Sequence, residues 1–424
     1  MKNNDLSQWL PCQSYCQMNG AAAAVLSFKN ANVVFNGPRW CSVIAERELM
    51  AYDRTLSERL YCSHVEQADL LFGTGERIRE IVEDQKRENP NTSVLAVLTS
   101  CSVGLIGDDV DGIVGSLEQS YPVIVLDAGG LTGLFEEGYQ AAMTEVIKIM
   151  DLQKTASIHP NRVNLLGYCG YYPDSSGDLI ELKRLLQAAG FELGICPGES
   201  GLALQDLKTI PSAALNIVLS PELGLQTAKY LQEKIGQKFA VLPVPYGLNQ
   251  TMKWLKDIGE ELSMIPDIKK LETEVRVMEE NIAEQVDMLK RMVTNLTYKR
   301  AILALPYSRA KSLANALQNE ILEVEKIKFE IQGNYMGDEL KTDESEGNKS
   351  DWLAADYQLL FGSSADRVRT GNFTHTIYLN MYKTDSRIRR RYKTFAGIEG
   401  WGILIQEIVE KTLALYYWKN EIIF

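Results

Sequence analysis

At 424 residues and 45% hydrophobic content, the chain is long enough to bury the cores of two or three domains. Its formal net charge of -12 argues against the basic face that a nucleic-acid backbone or an anionic membrane surface requires. The opening Met1–Leu10 stretch lacks the apolar core of a secretory signal, and no run reaches the roughly 18 apolar residues of a membrane span.

Residues 1–150 alternate apolar runs with helical patterns, as parallel α/β units do. A buried strand is expected over 32–36, a helix over 46–60, and a strand over Ala68-Asp-Leu-Leu-Phe-Gly. Helix 76–88, strand 93–99, a helix near 110–119, strand 123–126 and helix 136–150 complete the block. A second block, 151–297, carries strands at 162–167, 191–196, 214–220 and 239–243, with a helix at 177–186. It closes with apolar residues recurring every three or four positions over 268–296, the mark of a long amphipathic connecting helix. The third block, 298–424, begins with strand 300–306 and helix 309–322. Its acidic stretch 334–352 reads as a mobile loop without chemistry. Strand 357–364 and helix 401–414 follow. Strands that are apolar throughout and each followed by a helix predict parallel sheets. The fold class is therefore α/β, with three Rossmann-like domains.

Seven cysteines, an odd number scattered through a long chain, do not read as a disulfide framework. A reducing, cytoplasmic setting is expected, in which thiols stay available to metal. Cys16, Cys41 and Cys101 each stand where a predicted element gives way to a loop or a helix start. Soft metals select thiolates, and helix N-termini favour the thiolate form. An iron-sulfur cluster is the expected ligand, against the plainer reading of three buried small hydrophobes. In parallel sheets the ligand lies outside the carboxyl ends of the strands, where Cys101 and the Gly362-Ser-Ser turn fall. Gly73-Thr-Gly and Gly129-Gly read as turns, and no Gly-x-x-x-x-Gly-Lys-Ser/Thr motif provides an ATP site in this chain. Asp108 and Asp109 read as charges at a helix start. The basic run Arg387-Ile-Arg-Arg-Arg-Tyr-Lys reads as a solvated loop before a grip on an anion.

Cys16 with Gly20, then Asn36-Gly-Pro running into Cys41, resembles the opening of nitrogenase component 1 subunits and their relatives. Ala68-Asp-Leu-Leu-Phe-Gly and above all Thr99-Ser-Cys-Ser-Val-Gly-Leu-Ile-Gly-Asp-Asp are similar to later motifs of that family. Gly177-Asp-Leu-Ile-Glu-Leu-Lys-Arg-Leu-Leu and Phe395-Ala-Gly-Ile-Glu-Gly extend the resemblance, more loosely, to the rest of the chain. It implies a 4Fe-4S or P-cluster-like group shared at a subunit interface, with Cys16, Cys41 and Cys101 as ligands. It also implies an ATP-dependent iron protein that delivers electrons, a homodimer or a paralogous component 1 subunit, and a small-molecule substrate. Cys62 is the candidate fourth ligand, with Cys12 or a partner residue as competitors, while Cys169 and Cys196 read as core. The resemblance breaks where catalytic subunits hold their large metallocluster. Strand 214–220 ends in Ser220 rather than cysteine, and His375 lacks the family's histidine setting. That departure points toward β-type, scaffold and protochlorophyllide-reductase-type subunits. Three readings stay open: an oxidoreductase subunit whose catalytic residues are unknown, a scaffold for cluster assembly, and a redox-silent structural or ligand-binding partner.

Overall fold

The structure, a computed structural model, describes residues 16–50, 54–117, 120–172, 174–293, 298–320, 322–329, 357–363, 366–367, 376–381 and 393–419. They divide into two compact units. One runs to Tyr171 and adds Gly194–Val241; the other comprises Tyr172–Leu193 and continues from Leu242.

The first unit opens with α1 (Gln17–Leu26), β1 (Ala31–Asn36), α2 (Arg39–Met50) and β2 (Leu60–Cys62). Then come α3 (Asp69–Phe72), α4 (Gly75–Glu88), β3 (Val94–Thr99), α5 (Cys101–Ile106), α6 (Val110–Gly115), β4 (Val123–Asp127) and α7 (Phe135–Lys148). The four strands form one parallel sheet in the order β2-β1-β3-β4. Every residue of β1 and β3 is buried, because helices cover both faces and leave no solvated side for polar residues. On one face Val34, Leu95 and Val97 pack with Ile78 and Val82 of α4 and with Val103, Val110 and Val114, and Tyr61 adds to this cluster. The opposite face carries α1, whose run Ala21–Ala24 is fully buried. Small residues there let α1 and α7 meet backbone to backbone. A side chain on Gly20 would overlap the Phe135 carbonyl, and one on Gly138 would overlap the Gln17 carbonyl.

The same unit contains β5 (His159–Leu166), β7 (Ala213–Val218) and β8 (Phe239–Val241), with β5 paired to β7 and β7 to β8, all parallel. The buried Asn164 amide bridges them, donating to Asn216 Oδ1 at 2.8 Å and accepting from the Ile195 N–H at 3.1 Å. Within the other unit lie α8 (Ser175–Ala188), β6 (Glu192–Leu193), α10 (Leu248–Leu262), α11 (Lys269–Met292), α12 (Tyr307–Asn319) and α13 (Gly397–Lys419). The remaining helix, α9 (Pro221–Ile235), belongs to the first unit. A third parallel sheet has the order β10-β9-β11-β12, from Lys326–Phe329, Arg300–Leu303, Leu359–Gly362 and Ile377–Asn380. This unit closes around a buried ion pair. Asp178 accepts from Arg309 Nη2 at 3.1 Å, Thr394 Oγ1 at 2.8 Å, and the Phe395 and Ala396 N–H groups at 2.9 and 3.2 Å. Arg309 also donates to Tyr246 Oη at 2.9 Å and the Met381 carbonyl at 3.1 Å, so the buried charges are matched by hydrogen bonds.

The three parallel α/β sheets agree with the sequence reading, and several elements do not. The expected strand at 68–73 is the helical turn α3, because its apolar side chains are not core: Leu71 is 80% exposed and Phe72 88%. Helix 46–60 is instead α2 from Arg39, then a 3-10 turn over Arg54–Arg59 and the three-residue strand β2. The helix expected near 110–119 is found as α6, and a further short helix, α5, precedes it and ends at the left-handed Gly107. The acidic loop 334–352, Cys12, His375, Ser364 and residues 387–392 of the basic run lie outside the described residues. Among the described residues no helix is long and apolar enough to cross a membrane.

Candidate functional site

Parallel pairing brings the carboxyl ends of the first sheet to one edge. Phe35 lies opposite Cys62 and Asn36 opposite Thr99, so β2, β1 and β3 end together. Cys62 is the last residue of β2. Its neighbour Tyr61 pairs with Val34, which faces α4. The two-residue alternation of a strand therefore turns Cys62 to the opposite face, the one α1 and α2 cover. After β1 the chain turns at Gly37-Pro38, and the Pro38 carbonyl accepts the Cys41 N–H at 3.0 Å in the first turn of α2. Cys101 opens α5 directly after β3. Cys16 caps α1, its carbonyl accepting the Asn19 N–H at 3.0 Å, and it forms an isolated bridge with Leu134 before α7.

These four thiols are in no disulfide and are half-buried, and Cys16, Cys62 and Cys101 lie near Cys41. Burial pushes the Cys41 thiol above its usual range, and the adjacent Cys16, Cys101 and Cys62 push it further in the same direction. The Cys16 thiol is also raised by burial, against which the N–H groups of Asn19 and Met18 at the start of α1 act; Cys101 adds to the rise. A bound metal would neutralise the thiolate charge that burial and the neighbouring thiols otherwise disfavour. Among the described residues no three His, Cys, Asp or Glu side chains converge at the spacing of a single ion. Thiols spread along a sheet edge suit a group in which separate irons each take one sulfur. Cys169 and Cys196, by contrast, are only 2% and 1% exposed, in keeping with core packing.

Gly129-Gly130, read from sequence as a turn, belongs to the site. A Cβ on Gly129 would stand 3.1 Å from the Cys101 Cα and N and 3.2 Å from its Sγ. One on Gly130 would stand 2.9 Å from the Cys16 Cβ. The loop after β4 thus threads between two cysteines with no room for side chains, a role only the pair's position after a strand end could have suggested. The two aspartates divide. Asp109 caps α6 by accepting the Gly112 N–H at 2.9 Å, as a helix-start charge should. Asp108 reaches instead to Thr74 at the start of α4, accepting its N–H at 2.6 Å and its hydroxyl at 2.5 Å. Around the thiols, Trp40, Leu71, Phe72, Leu105 and Leu131 expose most of their apolar surface. Beside Cys62 opens a cavity of ≈ 410 Å³ with Arg39, Glu46, His64 and Asp84 in its walls.

A profile of the family described as nitrogenase component 1 type oxidoreductase matches residues 16–411. The chain belongs to this family. Among curated relatives of this nitrogenase component 1 type chain, a light-independent protochlorophyllide reductase subunit of Chlorobium phaeobacteroides (strain BS1) is 27% identical over 249 residues. That stretch is 58% of this chain and 46% of the relative. The nitrogenase iron-iron protein beta chain of Rhodobacter capsulatus is 26% identical over 271 residues, 58% of this chain and 57% of its own. The chain spans about half the length of the curated relatives it matches. Solved structures of nitrogenase Cp1 at pH 6.5 and pH 5 give TM-scores of 0.70 and 0.72 at 18% and 17% identity. They cover 95% and 96% of this chain and 92% and 90% of theirs, which establishes the nitrogenase component 1 fold. In this component 1 chain Ser220 ends the β7 segment, donating to Glu222 Oε2 at 2.8 Å at the start of α9, and supplies no thiolate.

Proposed function

We propose that this chain is an oxidoreductase subunit that accepts electrons from a separate ATP-dependent iron-sulfur protein and passes them to a bound small molecule. An iron-sulfur cluster would be held by Cys16, Cys41 and Cys101, with Cys62 as the fourth thiol. The observation that carries this reading is the convergence of four neighbouring, half-buried thiols at one strand-end edge, inside the part of the chain that matches the family. Their surroundings fit such a group. The first N–H groups of α1 face the Cys16 sulfur, which offsets thiolate charge. Gly129 and Gly130 keep the space between Cys16 and Cys101 free of side chains. Bound there, a cluster supplies one-electron storage at a potential tuned by hydrogen bonds and solvent exposure.

Exposed apolar side chains beside every cysteine segment support a thiol edge covered by other polypeptides, as a partner subunit and an electron donor would cover it. Ser220 argues against a large metallocluster in the second α/β region, and so against dinitrogen reduction by this subunit.

Anaerobic purification and reconstitution, with iron and sulfide analysis and electron paramagnetic resonance, tests this function. A brown protein with several irons per chain is expected. A colourless, iron-free product would eliminate both the redox and the scaffold roles and leave a redox-silent partner. Adding the reduced iron protein and ATP then separates the first two: substrate turnover marks the oxidoreductase, and cluster transfer without turnover marks a scaffold.

A further inference from the structure

Behind the thiol edge runs an unbroken chain of hydrogen bonds. The Gly37 N–H donates to Ser63 Oγ at 3.0 Å, and Ser63 Oγ donates to Asn36 Oδ1 at 2.9 Å. Asn36 Nδ2 donates to Thr74 Oγ1 at 3.0 Å, and Thr74 Oγ1 donates to Asp108 Oδ2 at 2.5 Å. The Thr74 N–H joins the same carboxylate oxygen at 2.6 Å. Each hydroxyl accepts one bond and donates one, so the order of donors and acceptors has a single direction that ends on a carboxylate. Asn36 and Thr74 are fully buried and Ser63 nearly so, which removes water as a substitute partner.

The members of this chain belong to the cysteine segments. Gly37 begins the turn that leads to Cys41. Ser63 follows Cys62, and its N–H donates to the Phe35 carbonyl at 3.0 Å. Asp108 follows α5, the helix that Cys101 opens. Thr74 caps α4 and stands between them. Asn36 also accepts the Ser100 N–H on its carbonyl at 2.9 Å, tying the turn before Cys41 to the residue before Cys101. A local cap would need only Asp108 and Thr74. The extension through Asn36 and Ser63 to Gly37 adds nothing to α4 and instead connects three separate cysteine-bearing segments.

We infer that Ser63, Asn36, Thr74 and Asp108 are positioning residues that fix the mutual spacing of the Cys41, Cys62 and Cys101 segments. The inference rests on the proposed cluster for its consequence, but not for its geometry. Removing a link leaves buried donors or acceptors unpaired and frees the turn at Gly37 from the sheet edge. The segments would then move independently, and a group that must bind several thiols at once would bind less tightly.

Thr74→Val, which keeps the side-chain shape and loses both bonds, tests this beside Thr74→Ser, which keeps the hydroxyl. In the metal-free, reduced full-length protein, hydrogen exchange over 36–41 and 62–65 and alkylation of Cys41, Cys62 and Cys101 are followed by mass spectrometry. Thr74→Val is expected to accelerate these by roughly tenfold, the equivalent of one buried hydrogen bond, with Thr74→Ser near the wild type and the β5 segment unchanged. After reconstitution, Thr74→Val should lower iron affinity by roughly 10- to 100-fold and shift the midpoint potential, both restored in Thr74→Ser. Unchanged exchange and alkylation in the metal-free protein would overturn the inference whatever the cluster does. Should the wild type take up no iron, the proposed function fails, and the metal-free measurements alone decide the positioning role. If Thr74→Val does not fold, Ser63→Ala is substituted; it should loosen the Cys41 and Cys62 segments while sparing Cys101, and equal rates at all three would overturn the assignment.

Discussion

Two buried polar networks of this chain, one around Asp178 and one behind the thiol edge, use similar parts to opposite ends. Around Asp178 and Arg309 every strong donor and acceptor is matched inside the unit: a carboxylate meets a guanidinium, a hydroxyl and two backbone N–H groups. At the edge of the first sheet the polar chain likewise closes on itself, from Gly37 to Asp108, but the side chains standing beside it are thiols, half-buried and ringed by exposed apolar surface. A satisfied network marks a joint; a satisfied network beside half-buried soft ligands marks a candidate site. Strength of charge does not distinguish them, since the more heavily charged of the two is the one that ties its own unit together.

Breaking each network should therefore fail in a different observable. Asp178→Ala leaves Arg309 buried without its carboxylate and should cost about 3–5 kcal/mol in urea unfolding, with iron per folded chain unchanged. Loss of iron without loss of stability would reverse the assignment of the two networks. Cys101→Ala should do the converse, abolishing the cluster signal while the unfolding midpoint moves by about 1 kcal/mol or less in free energy; an unaltered spectrum would remove Cys101 from the ligand set. A matched Cys169→Ala should keep full iron content, because that thiol is core. Gly130→Ala is expected to be intermediate, since its methyl would press on the Cys16 Cβ. Iron content should fall in Gly130→Ala and stay normal in Gly115→Ala, where a Cβ meets open space.

The smallest effect concerns a third buried acid. Burial pushes the Glu320 carboxyl up to about 7, although the Leu248 and Asn249 N–H groups at the start of α10 hold it down. Its folded form thus keeps a proton that the unfolded chain has released, so stability from this group is greatest at low pH. It falls as pH rises from about 4.5 toward 7. Urea midpoints taken across that window should decline in the wild type and flatten in Glu320→Gln; parallel slopes would show that Glu320 is not responsible.

Much of this architecture was legible because burial on both faces writes itself into the sequence as uninterrupted apolar runs. β3 is such a run but for its last residue, β1 and β7 come close with buried asparagines among their apolar residues, and the long period of α11 is equally plain. The same rule misled at Leu71-Phe72, where apolar residues face outward and the chain makes a helical turn. β2 escaped notice because three residues are too few to show a period, yet its pairing with β1 is what puts Cys62 on the edge. The cysteines could be picked out by residue type and by their places beside strand ends. Gly129, Gly130 and Asp108 could not be assigned roles, because each is defined by what approaches it from a distant part of the chain.

The backbone contact between α1 and α7 carries one more consequence. Gly20 and Gly138 admit no side chain, and Ala21–Ala24 are enclosed, so the helix that presents Cys16 has no slack in which to shift. Cys41, by contrast, stands in the first turn of α2 just after the Gly37-Pro38 turn, and Cys62 ends a short edge strand. Descendants of this sequence seeking a new potential or a new cargo would find Cys16 an immovable datum. Divergence at this edge would have to be written in the Cys41 and Cys62 segments.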